Sequence, residues 1–209
     1  TNGHNELILA NRNGRAVRFD EETIRTMGRT ATGVRGMRLD GGDDAVVGMI
    51  VINDSENETV MVVSEEGYGK RSEVEDYRKT NRGGKGVKTL NITDKTGRLV
   101  AIKNVTDDND LMIINKSGIV IRLPLADCRV MGRATQGVRL INLAKKNDVI
   151  ASVCKVMSSE LEASVEEESR SAFSQKSEEM KQDTSSPLNE DETPVDDVNS
   201  TLVENPEED

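Results

Sequence analysis

"LMIINKSGIVIRL", residues 111–123, is the stretch on which the fold turns. Four apolar residues run into a polar turn at Gly118, and a second short run with apolar alternation follows. A turn glycine between two such runs reads as a β-hairpin, because glycine supplies the positive φ that a tight reversal needs. The same arrangement occurs in "LILANRNGRAVRF" from Leu7, with Gly14, and in "VMVVSEEGYGKRS" from Val60, with Gly67. The three glycines are 53 and 51 residues apart, which makes the chain a repeat protein with a period near fifty.

Each unit continues in the same way. A second glycine stands 19 residues after the first, in "GVRGMRL" at Gly33, "GVKTLNI" at Gly86 and "GVRLINL" at Gly137, and opens a third strand. A fourth follows in "VVGMIVI" from Val46, "LVAIKNV" from Leu99 and "VIASVCKV" from Val149. Four strands per unit predict an all-β, propeller-like architecture of three four-stranded blades, over about residues 5–54, 58–106 and 109–156. Helix is confined to single turns near residues 23–27 and 74–77.

The chain has 209 residues, a formal charge of −10 and only 2% aromatic residues. Dividing it after Val156 shows where the acidity sits. Residues 1–156 hold 25 Lys+Arg against 21 Asp+Glu, whereas residues 157–209 hold 3 against 17. The second segment also carries three of the four prolines and no sustained periodicity, so an acidic disordered tail is expected. Such a tail either solvates the chain or competes with a polyanion for the basic body. Cys128, Cys154 and the single His4 form no metal-ligand spacing, and a reducing compartment is the simplest context. No apolar run is long enough to span a bilayer, and the chain starts at Thr1, so a soluble cytoplasmic piece of a longer protein is expected.

Cations recur in phase with the repeat. Four residues past the hairpin glycine stand Arg18, Arg71 and Arg122; fifteen past it, Arg29, Arg82 and Arg133; twenty-one past it, Arg35, Lys88 and Arg139. Rotation of one blade into the next would place equivalent residues on one rim. Two roles are open to Arg18, Arg71 and Arg122 beside their strands: charges that block edge-to-edge aggregation, or ligand contacts. The loop cations Arg29, Arg82 and Arg133 lie in polar segments beside glycines, where ligand contact is the stronger reading. "NRGGKGVKTL", residues 81–90, adds Lys85 among three glycines, as either a phosphate cradle or a solvated turn.

Evenly spaced cations with almost no aromatic residues suit duplex DNA better than single strands, which need stacking platforms. Nine phosphate contacts would give a log–log salt slope of at most roughly −8. A protein-interaction scaffold with an acidic partner is the alternative from another class. No phosphate-loop spacing, metal cluster or nucleophile with its base is present, so neither catalysis nor a cofactor is expected of this chain.

"MGRTATGVRGMRL", "GYGKRSEVEDYRKTNRGGKGV" and "MGRATQGVRLI" together resemble the last three blades of the C-terminal domain family of DNA gyrase A, over about residues 5–156. The related topoisomerase IV domain is a weaker likeness. The resemblance implies a β-pinwheel, whose blades exchange strands and whose rim wraps DNA to support negative supercoiling. It also implies a bacterial, nucleoid-associated location and two protein partners, the rest of gyrase A and gyrase B. The catalytic sites, with ATP and Mg, then lie outside this segment. Residues 80–86, T-N-R-G-G-K-G, match five of the seven places in the family's Q-R-R-G-G-K-G box, and on that basis Arg82 and Lys85 take a DNA-contact role. The expected DNA-binding set is Arg18, Arg29, Arg35, Arg71, Arg82, Lys85, Lys88, Arg122, Arg133 and Arg139, with no catalytic or metal residue.

Overall fold

The computed structural model describes residues 1–143 and 148–158. Its strands are β1 (Glu6–Asn11), β2 (Arg15–Asp20), β3 (Val46–Ile52), β4 (Thr59–Ser64), β5 (Tyr68–Glu73), β6 (Val87–Lys88), β7 (Leu99–Val105), β8 (Asn109–Asn115), β9 (Val120–Pro124), β10 (Val138–Arg139) and β11 (Ile150–Met157). Single 3₁₀ turns at Glu21–Thr23 and Val74–Asp76 follow the first two hairpins. The acidic tail was expected over residues 157–209; Met157 instead ends β11, and residues 159–209 lie outside the described residues.

The three hairpins are β1–β2, β4–β5 and β8–β9, and their turn glycines have φ of +73°, +78° and +84°. The residue before each turn ties it shut. Asn11 and Asn115 accept the backbone N–H of Arg15 and Ile119 at 2.8 and 2.7 Å, and the Ser64 hydroxyl donates to the Tyr68 carbonyl at 3.2 Å. These short polar side chains satisfy backbone groups that the tight turn would otherwise leave unpaired.

Sheet order shows how the blades are joined: β3-β1-β2-β6, then β10-β5-β4-β7, then β11-β8-β9. The strand opened by Gly86 pairs with the hairpin of the preceding unit, with Arg15 opposite Lys88 and Ala16 opposite Val87. The strand opened by Gly137 likewise pairs with β5, with Val138 opposite Gly69 and Arg139 opposite Tyr68. Each of these two units therefore lends its third strand backwards. Three four-stranded blades were expected, and the third sheet instead has three strands among the described residues. The segment after Gly33, expected as a third strand, is not one among the described residues.

The cores lie between blades. Ile8, Ala10 and Ala16 of the first blade pack with Val60, Val62 and Ile102 of the second, sealed by Val74, Tyr77 and Leu90. Met61, Val63 and Ala101 of the second pack with Leu111, Ile113 and Val153 of the third. A smaller cluster of Leu7, Val17, Phe19 and Met37 lies on the other face of the first blade. Strands β3, β7 and β11 run side by side, which leaves β6 and β10 on the opposite side of their sheets as the outer edges.

Candidate nucleic-acid interface

The nine repeat-matched cations fall into three structural kinds. Arg18 and Arg71 are 5% and 4% exposed, so the expectation that they face a ligand is corrected. Arg18 donates through Nε to Glu6, through Nη1 to the carbonyls of Val74 (2.9 Å) and Tyr77 (3.2 Å), and through Nη2 to Glu75 (3.0 Å). Arg71 donates through Nε to Thr59 Oγ1 (2.9 Å) and through Nη1 to Asp107 (2.6 Å) and the Leu125 carbonyl (2.8 Å). Both side chains thus bind the turn of the following blade. A buried guanidinium must spend its fork of donors on protein acceptors, which is the physical reason it is unavailable to DNA. Burial works to raise the Glu6 carboxyl, and the Lys79 and Arg18 hydrogen bonds overcome it and hold that carboxyl below the usual range. Arg122, the third member, is exposed and pairs with Asp110 within its own hairpin.

Arg82 and Arg133 form the second kind. Each is half-buried and bridges back to the preceding unit, so neither is wholly free in its polar segment. Arg82 donates to the carbonyls of Thr23 (3.3 Å) and Arg35 (3.2 Å), and Arg133 to those of Asp76 and Lys88, both at 2.8 Å. Their charges sit at the seams and stay partly open to solvent. Arg29, at the same repeat position, is exposed and makes no such bridge among the described residues.

Arg35, Lys88 and Arg139 are the third kind, all exposed. Lys88 and Arg139 end β6 and β10, the lent strands, whose backbones are held by the neighbouring hairpin while the side chains remain at the surface. Lys88 Nζ reaches only Asn91, at 3.2 Å, among the described residues. Arg139 lies over the Tyr68 ring at 5.4 Å and donates to its hydroxyl from Nη2 at 2.9 Å. That hydrogen bond from Arg139, aided by its charge, holds the Tyr68 phenol below its ordinary range.

One row escaped the reading of the sequence. Arg25, Arg78 and Arg129 stand eleven residues past the three hairpin glycines, all exposed and without an ion pair among the described residues. The same offset arithmetic that found the other rows identifies this one.

The T-N-R-G-G-K-G loop borders a groove of about 220 Å³ lined by Arg78, Thr80, Asn81, Lys85 and the backbone of Gly84 and Gly86. Gly83 and Gly86 take φ of +79° and +73°, and a Cβ on Gly86 would collide with the Ala16 carbonyl. The last glycine of the box thus serves close backbone approach between blades. Lys85 pairs with Asp40 at 2.7 Å on the surface, and its hydrogen bond holds the Asp40 carboxyl below the usual range. No group of three His, Cys, Asp or Glu able to hold a metal occurs among the described residues, and no described helix is long and apolar enough to cross a membrane.

The model of the family "DNA gyrase C-terminal domain, beta-propeller" matches residues 5–53, 58–106 and 109–154, one match per repeat. The chain belongs to this family. It is 41% identical over 210 residues to the DNA gyrase A protein of Staphylococcus aureus strain NCTC 8325 / PS 47, covering all of this chain and 23% of that protein. It is 40% identical over 204 residues to the same protein from strain MRSA252, covering 98% of this chain and 22% of that one. The chain thus spans about a quarter of the curated relatives it matches. A solved C-terminal domain of DNA topoisomerase IV superposes with a TM-score of 0.71 at 26% identity, over 80% of this chain and 53% of that one. A solved DNA gyrase A C-terminal domain superposes with a TM-score of 0.67 at 26% identity, over 74% and 51%. The gyrase C-terminal domain fold is therefore carried by three antiparallel sheets here, each with its own exposed cations.

Proposed function

We propose that this chain is a noncatalytic duplex-binding module of a DNA gyrase A protein, bending DNA around its outer edge so that strand passage acquires a supercoiling direction. The observation that carries this reading is the recurrence of three exposed or half-exposed cations in every unit. They are Arg25, Arg29 and Arg35 in the first, Arg78, Arg82 and Lys88 in the second, and Arg129, Arg133 and Arg139 in the third. Lys85 adds one more in the second unit. Family membership supports the same reading. Lys88 and Arg139 are carried by lent strands and the others by the loops that lead to them, with no groove-reading helix, so in this reading phosphates are contacted and bases are not. A curved row of phosphate contacts lowers the energy of a bent duplex relative to a straight one.

In this reading the remainder of gyrase A, together with gyrase B, supplies the protein partners. Strand cleavage and the ATP and Mg chemistry belong to those parts, in a bacterial cytoplasm. The test is duplex binding as a function of salt. Affinity should fall steeply with a slope between roughly −4 and −8, with little dependence on sequence. Ligation of nicked circular DNA in the presence of the chain should shift the linking number. A flat salt response or absence of a duplex complex at low salt overturns the reading.

A further inference from the structure

Tyr68 opens β5, one residue past a hairpin glycine, and is 6% exposed although it joins none of the three apolar clusters. What lies over its ring is charge: the Arg139 guanidinium at 5.4 Å and the Lys95 ammonium at 5.7 Å from the ring centre. We propose that Tyr68, Arg139 and Lys95 form one phosphodiester-binding subsite, in which the Tyr68 hydroxyl donates to a phosphate oxygen held by the two cations. The proposal rests on the duplex-binding reading and adds Tyr68 and Lys95 to it.

Two cations over one ring repel each other, and the equivalent joint one unit earlier neutralises such charge. There Arg15 stands opposite Lys88, with Asp40 at 3.8 Å from Arg15 and 2.7 Å from Lys85. In the second unit the repeat position of Asp40 holds Thr93. Neither Lys95 nor Arg139 has an ion-pair partner among the described residues. Of the two carboxylates in the adjoining hairpin turn, Glu65 accepts the Arg98 backbone N–H at 3.0 Å, and Glu66 pairs with neither cation. The negative face of the Tyr68 ring eases the repulsion without cancelling net charge. Both cations are exposed and remain open to an anion.

The hydroxyl sets the direction of approach. Arg139 donates to its oxygen from Nε at 3.2 Å and from Nη2 at 2.9 Å, so both lone pairs are engaged. The phenolic proton therefore points away from the guanidinium, and it has no acceptor among the described residues. Pairing of Arg139 with Tyr68 across β10 and β5 fixes the two side chains next to each other. A phosphate oxygen arriving there meets the phenolic O–H, the unused Nη1 of Arg139 and the Lys95 ammonium, a donor set suited to an anion with several acceptor oxygens. The hydrogen bond from Arg139, with the charges of Arg139 and Lys95, holds the phenol below its ordinary range. That lowering makes its O–H a stronger donor.

The experiment uses the 209-residue chain, a short blunt-ended duplex, and tyrosine labelled with carbon-13 at the ring carbon that bears the oxygen. Tyr77, pushed up to about 12 by burial, stays silent below that range, so the resonance that titrates first is that of Tyr68. A phosphate that accepts the phenolic proton holds it in place, so saturating duplex should raise the Tyr68 midpoint. By linkage, the affinity of the parent should fall as pH rises through the range of the free phenol, and Tyr68→Phe should lack that fall. Tyr68→Phe keeps a ring under both cations and removes one neutral donor. It should weaken duplex binding about three- to tenfold with the salt slope unchanged. Lys95→Gln should shallow the slope by roughly 0.9, and Lys95→Arg should restore it. All three variants should keep the denaturation midpoint of the parent. A duplex complex that leaves the Tyr68 midpoint unmoved, Tyr68→Phe binding as tightly as the parent, or a Lys95→Gln slope equal to the parent's would each overturn the subsite and leave the duplex-binding reading standing. Absence of any duplex complex at low salt would overturn both.

Discussion

The Nη1 atom of Arg71 lies 2.8 Å from the carbonyl oxygen of Leu125, 54 residues further along the chain. The same donor of Arg18 lies 2.9 Å from the carbonyl of Val74, 56 residues on. A cation four residues past each of these hairpin glycines is therefore a device for joining blades. Arg71→Ala leaves the Leu125 carbonyl and the Thr59 hydroxyl without a charged donor in a buried seam. It should lower unfolding free energy by about 2 to 4 kcal/mol. Chemical denaturation reads this directly, and the salt slope of duplex binding should be unchanged wherever the variant is folded.

The exposed rows should behave in the opposite way. Arg25→Ala, Arg78→Ala and Arg129→Ala remove charges that no described side chain pairs with. Each should shallow the salt slope by roughly 0.9 if its arginine contacts one phosphate. The thermal midpoint should move by no more than about a degree, since exposed substitutions rarely change stability much. Salt titrations of the single and triple variants test whether the losses add.

The hairpins, the positive-φ glycines and the repeat phase were legible because they are local. Gly14, Gly67 and Gly118 announce their turns through their neighbours alone. The destination of each third strand was not local: nothing within "GVKTLNI" says that Val87 lies opposite Ala16, and only the resemblance to a strand-exchanging family implied such pairing. Charge was legible as a period but not as a role. A repeat carries an internal clamp such as Arg71 in the same phase as an exposed surface cation such as Lys88. What separates them is burial, which depends on the turn of the following blade. Arg25, Arg78 and Arg129 were within reach of the same counting and were missed.

Lys70 is 1% exposed, at the repeat position filled by Val17 and Ile121 in the other hairpins. Its Nζ donates to the Gly132 carbonyl at 2.7 Å, and burial pulls its pKa down to about 8. The folded state therefore holds this proton less tightly than the unfolded chain. Below pH 8 both states are protonated and the full cost is present. Stability should rise as pH climbs from about 8 toward 10.5, by at most about 3 kcal/mol. Lys70→Met should remove that rise and be more stable than the parent at neutral pH. Denaturation of the pair between about pH 7 and 9.5 checks it, below the range where Tyr77, pushed up to about 12 by burial, acts in the opposite direction.

Gly137 has φ of +79°, and a Cβ there would lie 2.6 Å from the Gly69 carbonyl oxygen. Gly137→Ala combines left-handed strain with a backbone collision across the seam between the second and third blades. It should cost about 2 kcal/mol or more. Gly132→Ala, where a Cβ meets nothing within 4 Å, should leave the melting temperature nearly unchanged. The two thermal melts, taken together, separate the seam from general glycine effects.

Residues 159–209 carry 3 basic and 17 acidic side chains, against a net charge of +4 for residues 1–158. If this tethered charge competes with phosphate for the cationic rows, covalent attachment raises its effective concentration and the competition is electrostatic. Deleting residues 159–209 should therefore tighten duplex binding by roughly tenfold at low salt. The gain should fade as ionic strength rises and the Debye length shrinks to about 8 Å at physiological salt. Anisotropy titrations of the whole and shortened chains across a salt series distinguish this from an inert tail, for which the two curves would coincide at every ionic strength.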